Sequence, residues 1–147
     1  MKISDVVACV RGDVSARKPV TAGPAEPLSA VARRMREHNV GAVVVVENEK
    51  PVGIITDRDL ALALGAQGVA LQEPVKSVMT VPVRTIPEGA GVFAATQCMR
   101  DVGVRRLAVV DNDGRLVAIV SLDDLLRLLG SELHNLAEGV KREAGVK

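Results

Sequence analysis

Two stretches of this chain, each about 50 residues long, carry the same features in the same order, and that repetition restricts the possible folds more than any other property. Leu28, Val31, Ala32 and Met35 follow the i, i+3, i+4, i+7 spacing of one helix face, and Val92, Ala95, Thr96 and Met99 repeat it 64 positions on. A run rich in β-branched residues follows each helix, at 40–46 and 104–110, and suits a buried strand. Each run meets an acidic turn, Glu47-Asn48-Glu49-Lys50 or Asp111-Asn112-Asp113-Gly114, and then a second strand at 52–55 or 117–120. The second turn is one residue longer, so the offset becomes 65 as Thr56 and Ser121 open another helix with Asp59 and Asp124 three positions further. Gly65 and Gly130 are expected to stop these helices in the left-handed conformation.

Short extended segments, Pro19-Val20-Thr21 and Val83-Arg84-Thr85, precede the first helix of each copy. The expected order is strand, helix, strand, strand, helix, twice, which is an α/β (α+β) architecture of two tandem repeats packed as a pseudo-two-fold pair. The divisions are an N-terminal docking segment at 1–13, repeats at 14–66 and 78–130, a linker at 67–77 and a C-terminal amphipathic helix or tail at 131–147. Ile3, Val6, Val7 and Val10 suggest the docking segment, and Leu133, Leu136 and Val140 an amphipathic extension of about 12 residues that needs a partner surface, because a helix so short is marginal alone. One copy cannot bury enough surface by itself. The two copies therefore pack together, and a cleft between them is a natural place for a small ligand.

Composition removes several function classes. Nineteen Lys and Arg against 18 Asp and Glu leave a net charge of +1, without the clustered basic surface that duplex nucleic acid requires. Trp and Tyr are absent and Phe93 is the single aromatic ring apart from the imidazoles, so stacking platforms for single strands are missing. No apolar run approaches the ~18 to 20 residues that span a bilayer. Cys9 and Cys98 form no disulfide framework and no secretory signal is visible, so a cytoplasmic location with packed thiols is the expectation. His38 and His134 lack companions at metal-ligand spacing and read as surface residues, as do Arg33, Arg34 and Arg36 on the first helix. Neither a phosphate-binding glycine loop nor a nucleophile elbow is present.

The sequences Gly-Ile-Ile-Thr-Asp-Arg-Asp at 53–59 and Ala-Ile-Val-Ser-Leu-Asp-Asp at 118–124, in this order of elements, resemble the CBS domain pair, or Bateman module, over roughly Val14 to Leu129. The resemblance implies a regulatory module that binds an adenosine-containing ligand between the repeats and assembles as a homodimer with two pairs facing each other as a flat disc. By position it implies that Asp59 and Asp124 bind ribose hydroxyls, that Thr56 and Ser121 face phosphates, and that Thr21-Ala22-Gly23 and Thr85-Ile86-Pro87 enclose adenine. Ala118 stands where the family pattern has glycine, and its methyl group is expected to crowd the second site.

The chemistry agrees with those roles. One carboxylate can accept a hydrogen bond from each of two neighbouring hydroxyls. Phosphates suit the N-terminus of a helix, where free N–H groups and the dipole favour an anion. Arg58, and Arg105 or Arg106, could add positive charge; adjacent strand residues point to opposite faces, so only one of the last two can face a given pocket. The same Ser/Thr-x-x-Asp spacing also reads as a helix capping box, and both readings stand for each copy. Three functions follow from the sequence: a sensor of AMP, ADP or ATP, with S-adenosylmethionine or NAD as further ligands, needing no cofactor and acting on an unknown effector protein; a ligand-free interaction scaffold; or a nucleotide-hydrolysing enzyme. The first is the reading adopted, with no catalytic and no metal-binding residues.

Overall fold

A computed structural model describes residues 1–6 and 19–145. Val7, Cys9, Val10 and the start of the first repeat lie outside the described residues. The elements are β1 (Thr21–Ala22), α1 (Leu28–His38), β2 (Ala42–Glu47), β3 (Lys50–Thr56) and α2 (Asp57–Gly65), then β4 (Thr85–Pro87), α3 (Val92–Val102), β5 (Arg106–Val110), β6 (Leu116–Ser121) and α4 (Leu122–Glu143). The expected order thus appears twice. In each repeat the first strand runs parallel to the second and the second antiparallel to the third, giving sheets β1-β2-β3 and β4-β5-β6.

The apolar stripes behave as their spacing requires. Leu28, Val31 and Met35 of α1 are buried against Ala22, Val43, Val45 and Ile55; Ala95 and Met99 of α3 are buried with Ile86, Leu107, Val109, Ala118 and Val120. Each repeat therefore owns one core, between its helices and one face of its sheet. Strands alternate sides. The other sheet faces carry Thr21, Ala42, Val44, Ile54 and Thr56 in the first repeat, and Thr85, Arg106, Ala108, Ile119 and Ser121 in the second. Val44 and Ala108 are equivalent in the repeat, and both are buried, at 0% and 1% exposure, outside either core cluster. The centres of these inner faces are therefore covered, and the faces form the walls of the cleft.

Of the two glycines expected to stop α2 and α4 in the left-handed conformation, only Gly65 ends its helix, and neither is left-handed. Gly65 is the last residue of α2 without a left-handed backbone, and Gly130 lies inside α4, which continues unbroken for 22 residues, so the C-terminal extension is part of that helix. The left-handed stops occur one helix earlier, at Asn39 (φ 51°) and its equivalent Gly103 (φ 75°). Gly130 accepts the ordinary helical conformation, and the apolar residues beyond it keep the helical spacing that favours continuation.

The repeats exchange covers. The segment preceding the first repeat docks on the second: Ile3 N–H donates to the Ala90 carbonyl, Ser4 N–H to Glu88, and Val92 N–H to Met1, while Ile3 and Val6 are fully buried in the second core. The segment preceding the second repeat docks on the first in the same way: Val75 N–H donates to Glu26, Lys76 N–H to Pro24, and Leu28 N–H to Glu73, with Val75 buried in the first core. Each set of bonds is the other displaced by one repeat.

Candidate functional site

The inner faces of the two sheets bound a pocket of about 430 Å³ lined by Pro19, Thr21 and Val46, with Glu49, from the first repeat and Leu116 and Val117 from the second. That volume falls within the ~300 to 1,000 Å³ usual for small-molecule sites. The hairpin tips hold its edge. The Glu49 carbonyl accepts from Leu116 N–H at 2.9 Å, and the Arg115 guanidinium lies 3.5 Å from the Glu49 carboxylate.

Thr21 is the adenine candidate that meets this pocket. Its neighbour Ala22 is 3% exposed and Ile86 is 5% exposed, both turned into the cores, so their side chains cannot line the cleft as expected; strand alternation leaves them only their backbone groups to offer. Thr85 and Pro87 are exposed on either side of Ile86. Thr21 pairs with Val44, and Val44 with Ile54, whereas Thr56 pairs with Ala42. Two strand steps and two residues along the sheet put Thr21 about 12 Å from Thr56.

Both capping boxes are formed. Asp59 N–H donates to the Thr56 hydroxyl at 3.1 Å while Thr56 N–H donates to Asp59 Oδ2 at 2.9 Å; Asp124 N–H and Ser121 repeat this at 3.1 and 2.8 Å. Capping holds the carboxylates in place through Oδ2. In each box the reciprocal bond uses that oxygen alone, so Oδ1 of Asp59 and of Asp124 keeps its lone pairs. All four residues are half-buried.

The arginines separate by position. Arg106 begins β5 directly across from Ser121, on the inner face with Ala108, and is half-buried. Arg105 stands before the strand, exposed, 3.4 Å from Asp123, and its carbonyl accepts from Leu122 N–H. Arg106 is thus the one of the two that faces inward. Arg58 is exposed on the first turn of α2, beside Asp57.

Two expectations change. Ala118 carries its methyl group into the second core at 0% exposure, paired with Val109, so it crowds no ligand. Its equivalent Gly53 is glycine for a packing reason: a Cβ there would lie 2.5 Å from Sδ and 2.9 Å from Cγ of Met79, which reaches over from the segment that follows the linker. Arg34 also leaves the solvated face assigned to it. It donates to the Thr21 carbonyl at 2.6 Å and to both oxygens of Glu26, whose Oε2 in turn accepts from Gly23 N–H. The Arg34 hydrogen bond holds the Glu26 carboxyl below its usual range against the opposing effect of burial, and Glu26 raises Arg34 in the same way.

Sequence reasoning missed Pro19, Val46, Glu49, Leu116 and Val117 as pocket residues, and it expected an N-terminal docking segment without seeing that it covers the second repeat or that the segment around Val75 covers the first. A signal for the covers existed: Ile3-Ser4-Asp5-Val6 and Val75-Lys76-Ser77-Val78 share an apolar, polar, polar, apolar pattern, displaced by 72 rather than 64. Among the described residues no group of His, Cys, Asp and Glu is placed to hold a metal, Cys98 is a free half-buried thiol, and no helix is long and apolar enough to cross a membrane.

The sequence matches the CBS domain twice, at residues 10–66 and 75–131. An uncharacterised protein of Methanopyrus kandleri is 38% identical over 133 residues, 89% of this chain and 68% of its own length. Among solved structures, a CBS domain protein from Pyrobaculum aerophilum complexed with AMP superposes with a TM-score of 0.72 at 26% identity, covering 85% of this chain and 90% of that one. A CBS domain pair in complex with 5-methylthioadenosine and S-adenosyl-L-methionine gives 0.74 at 27% identity, covering 90% and 98%.

Proposed function

Since the chain belongs to the CBS domain family and carries two copies in tandem, we propose that it is a regulatory module, not an enzyme, that binds an adenosine-containing ligand in the cleft between them. The observation that carries this reading is the pocket of about 430 Å³ against which Thr21 lies, in a fold whose solved relatives hold AMP, 5-methylthioadenosine and S-adenosyl-L-methionine. The adenine rests against Thr21 and the backbone of β1. The ribose diol donates to Oδ1 of Asp59 or Asp124, the oxygen left over by capping. Phosphate oxygens meet the N-termini of α2 and α4 beside Thr56 and Ser121, where Arg106 supplies charge in the second repeat and Arg58 in the first. The roughly 12 Å from Thr21 to Thr56 is a span that a nucleoside phosphate can bridge.

Binding regulates only through a difference in affinity between two states of the module. The ligand touches both repeats, so it favours the arrangement in which both sheets reach it, and a cytoplasmic effector protein responds to that arrangement. AMP, ADP and ATP are the ligands favoured, with S-adenosylmethionine and NAD sharing the same adenosine. The module works as a homodimer.

The test is thermal unfolding of nucleotide-stripped protein against each of these ligands, with Asp59→Ala and Asp124→Ala variants alongside. A ligand at 100 times its Kd adds about 2.7 kcal/mol, a rise of roughly 5 to 10 °C for a chain this size. Loss of the carboxylate is expected to weaken binding by about ten- to a hundredfold. Each variant also loses half a capping box, about 1 kcal/mol, so the ligand-induced shift is read against the variant's own baseline. A second reading, a ligand-free interaction scaffold, draws on the fact that both hydroxyls are already engaged as caps. No shift with any ligand would leave that reading standing.

A further inference from the structure

We propose that the C-terminal helix α4 is a self-association seam that pairs antiparallel with α4 of a second copy of this chain. This rests on the homodimer part of the reading above and is independent of the ligand. One side of α4 is used already, with Leu125 and Leu128 buried in the second core. A different side carries Leu126 (57% exposed), Leu129 (47%), Leu133 (67%), Leu136 (66%) and Val140 (65%). The intervals are three, four, three and four residues, and Leu122, half-buried at the edge of the second core, extends the series by another four. That mean period of 3.5 is the a/d pattern that keeps an apolar seam facing a partner helix.

Beyond Leu128, residues 129–143 are exposed except for the half-buried Glu138, yet the helix persists through Gly130 and Gly139. Two interior glycines cost about 0.8 to 1 kcal/mol each relative to alanine, and a segment of this length is marginal in water, so a covering surface is needed. A copy of the same helix provides one. Centred on Ser131, antiparallel pairing sets Leu129 against the partner's Leu133, Leu126 against the partner's Leu136, and Leu122 against the partner's Val140. Every layer is then apolar, and each projecting half covers the exposed half that lies beside the partner's core. Charge agrees with the antiparallel sense. The first turn of α4 is acidic, with Asp123 and Asp124, and the last carries Lys141 and Arg142 beside Glu143 and is net basic, so each end meets a turn of net opposite charge. Such a contact is isologous and closes at two copies.

Light scattering on the full chain and on a Leu133→Glu, Leu136→Glu double variant tests the seam, since both side chains are exposed within the chain and their replacement leaves the core intact. The variant is expected to have half the mass of the parent. Orientation is read in a Cys9→Ser, Cys98→Ser background carrying either Glu132→Cys or Val140→Cys. Under mild oxidation the first is expected to form a covalent dimer. The second is not, because antiparallel pairing separates the two positions by roughly 27 Å at 1.5 Å per residue. A monomeric parent chain would overturn the two-copy reading itself. An oligomer whose mass survives the double variant would overturn the seam alone, whether its partner surface is another face or a different protein, and crosslinking through Val140→Cys would overturn the antiparallel pairing.

Discussion

The two repeats share a fold but are braced differently. In the first, Met79, just past the linker, lies across Gly53, and Arg34 with Glu26 ties α1 to β1 through the Thr21 carbonyl and the Gly23 N–H. In the second, Gly53 is replaced by Ala118, and the places of Glu26 and Arg34 are taken by Ala90 and Cys98. Charge is redistributed as well. Gly41 and Ala42 stand just before and at the start of β2 where Arg105 and Arg106 stand just before and at the start of β5, and Arg58 occupies the helix position held by Asp123. Of the two proposed sites, one would thus carry its cation on the helix and the other on the strand. The pair keeps a common framework while the two proposed sites present different charge, so equal affinity for a nucleotide is not required at both.

The largest expected effect breaks the contrast at Gly53. Gly53→Ala forces Met79 aside and is expected to destabilise the protein by about 1 to 3 kcal/mol, measured by denaturant unfolding, whereas Met79→Ala in the same chain recovers part of that loss. If Gly53→Ala were neutral, the packing account of this glycine would fail. The converse change, Ala118→Gly, removes a fully buried methyl group and loosens a strand, at about 1 to 1.5 kcal/mol.

Next comes the brace. Glu26→Gln removes the ion pair with Arg34 but keeps an acceptor, and is expected to cost about 0.5 to 1 kcal/mol, since both side chains are about a third exposed. The contribution has a pH signature. The folded Glu26 carboxyl sits below its usual value of 4.5, so its stabilisation is complete above that pH and disappears as pH falls through the lower folded value. Acid titration of parent and variant should therefore converge at low pH. Curves that stay parallel would show the pair to be without energetic weight.

The smallest effect concerns the hairpin tips. The first turn places both Asn48 (φ 52°) and Glu49 (φ 65°) in the left-handed region, where Glu is strained. The second, longer turn gives that conformation to Gly114 and caps itself with Asp111, which accepts from Asp113 and Arg115 N–H. Glu49→Gly is expected to stabilise by about 0.5 kcal/mol, the relief of backbone strain exceeding the loss of an exposed 3.5 Å ion pair with Arg115. A destabilised variant would show that the Arg115 contact holds the two tips together.

Much of the architecture was legible because it depends on local chemistry written twice. Apolar periodicity located α1 and α3, β-branched runs located β2 and β5, and Thr56-x-x-Asp59 with Ser121-x-x-Asp124 announced helix starts that do form capping boxes. What escaped depends on who covers what. The exchanged covers were hidden by the longer interval before the first repeat, which moves their offset to 72. Gly130 looked like a stop because its conformation in a helix is decided by its neighbours. The choice between Arg105 and Arg106 needed the register of β5 against β6, which pairs Arg106 with Ser121. Arg34 looked solvated because its partner Glu26 lies across a turn, outside any helical spacing.

The exchange of covers makes the two halves of the chain mutually dependent. A cut near residue 70 would leave the first half holding Ile3 and Val6, which belong in the other core, and the second half holding Val75, which belongs in the first. Each fragment would carry its sibling's lid and expose its own apolar floor, yet a mixture of the two could rebuild the whole, because every missing piece is present on the other fragment. An ancestor with a single repeat would have faced the same problem and could have solved it only by lending its leading segment to a twin. Pairing is in that sense a condition of folding, met before any ligand arrives.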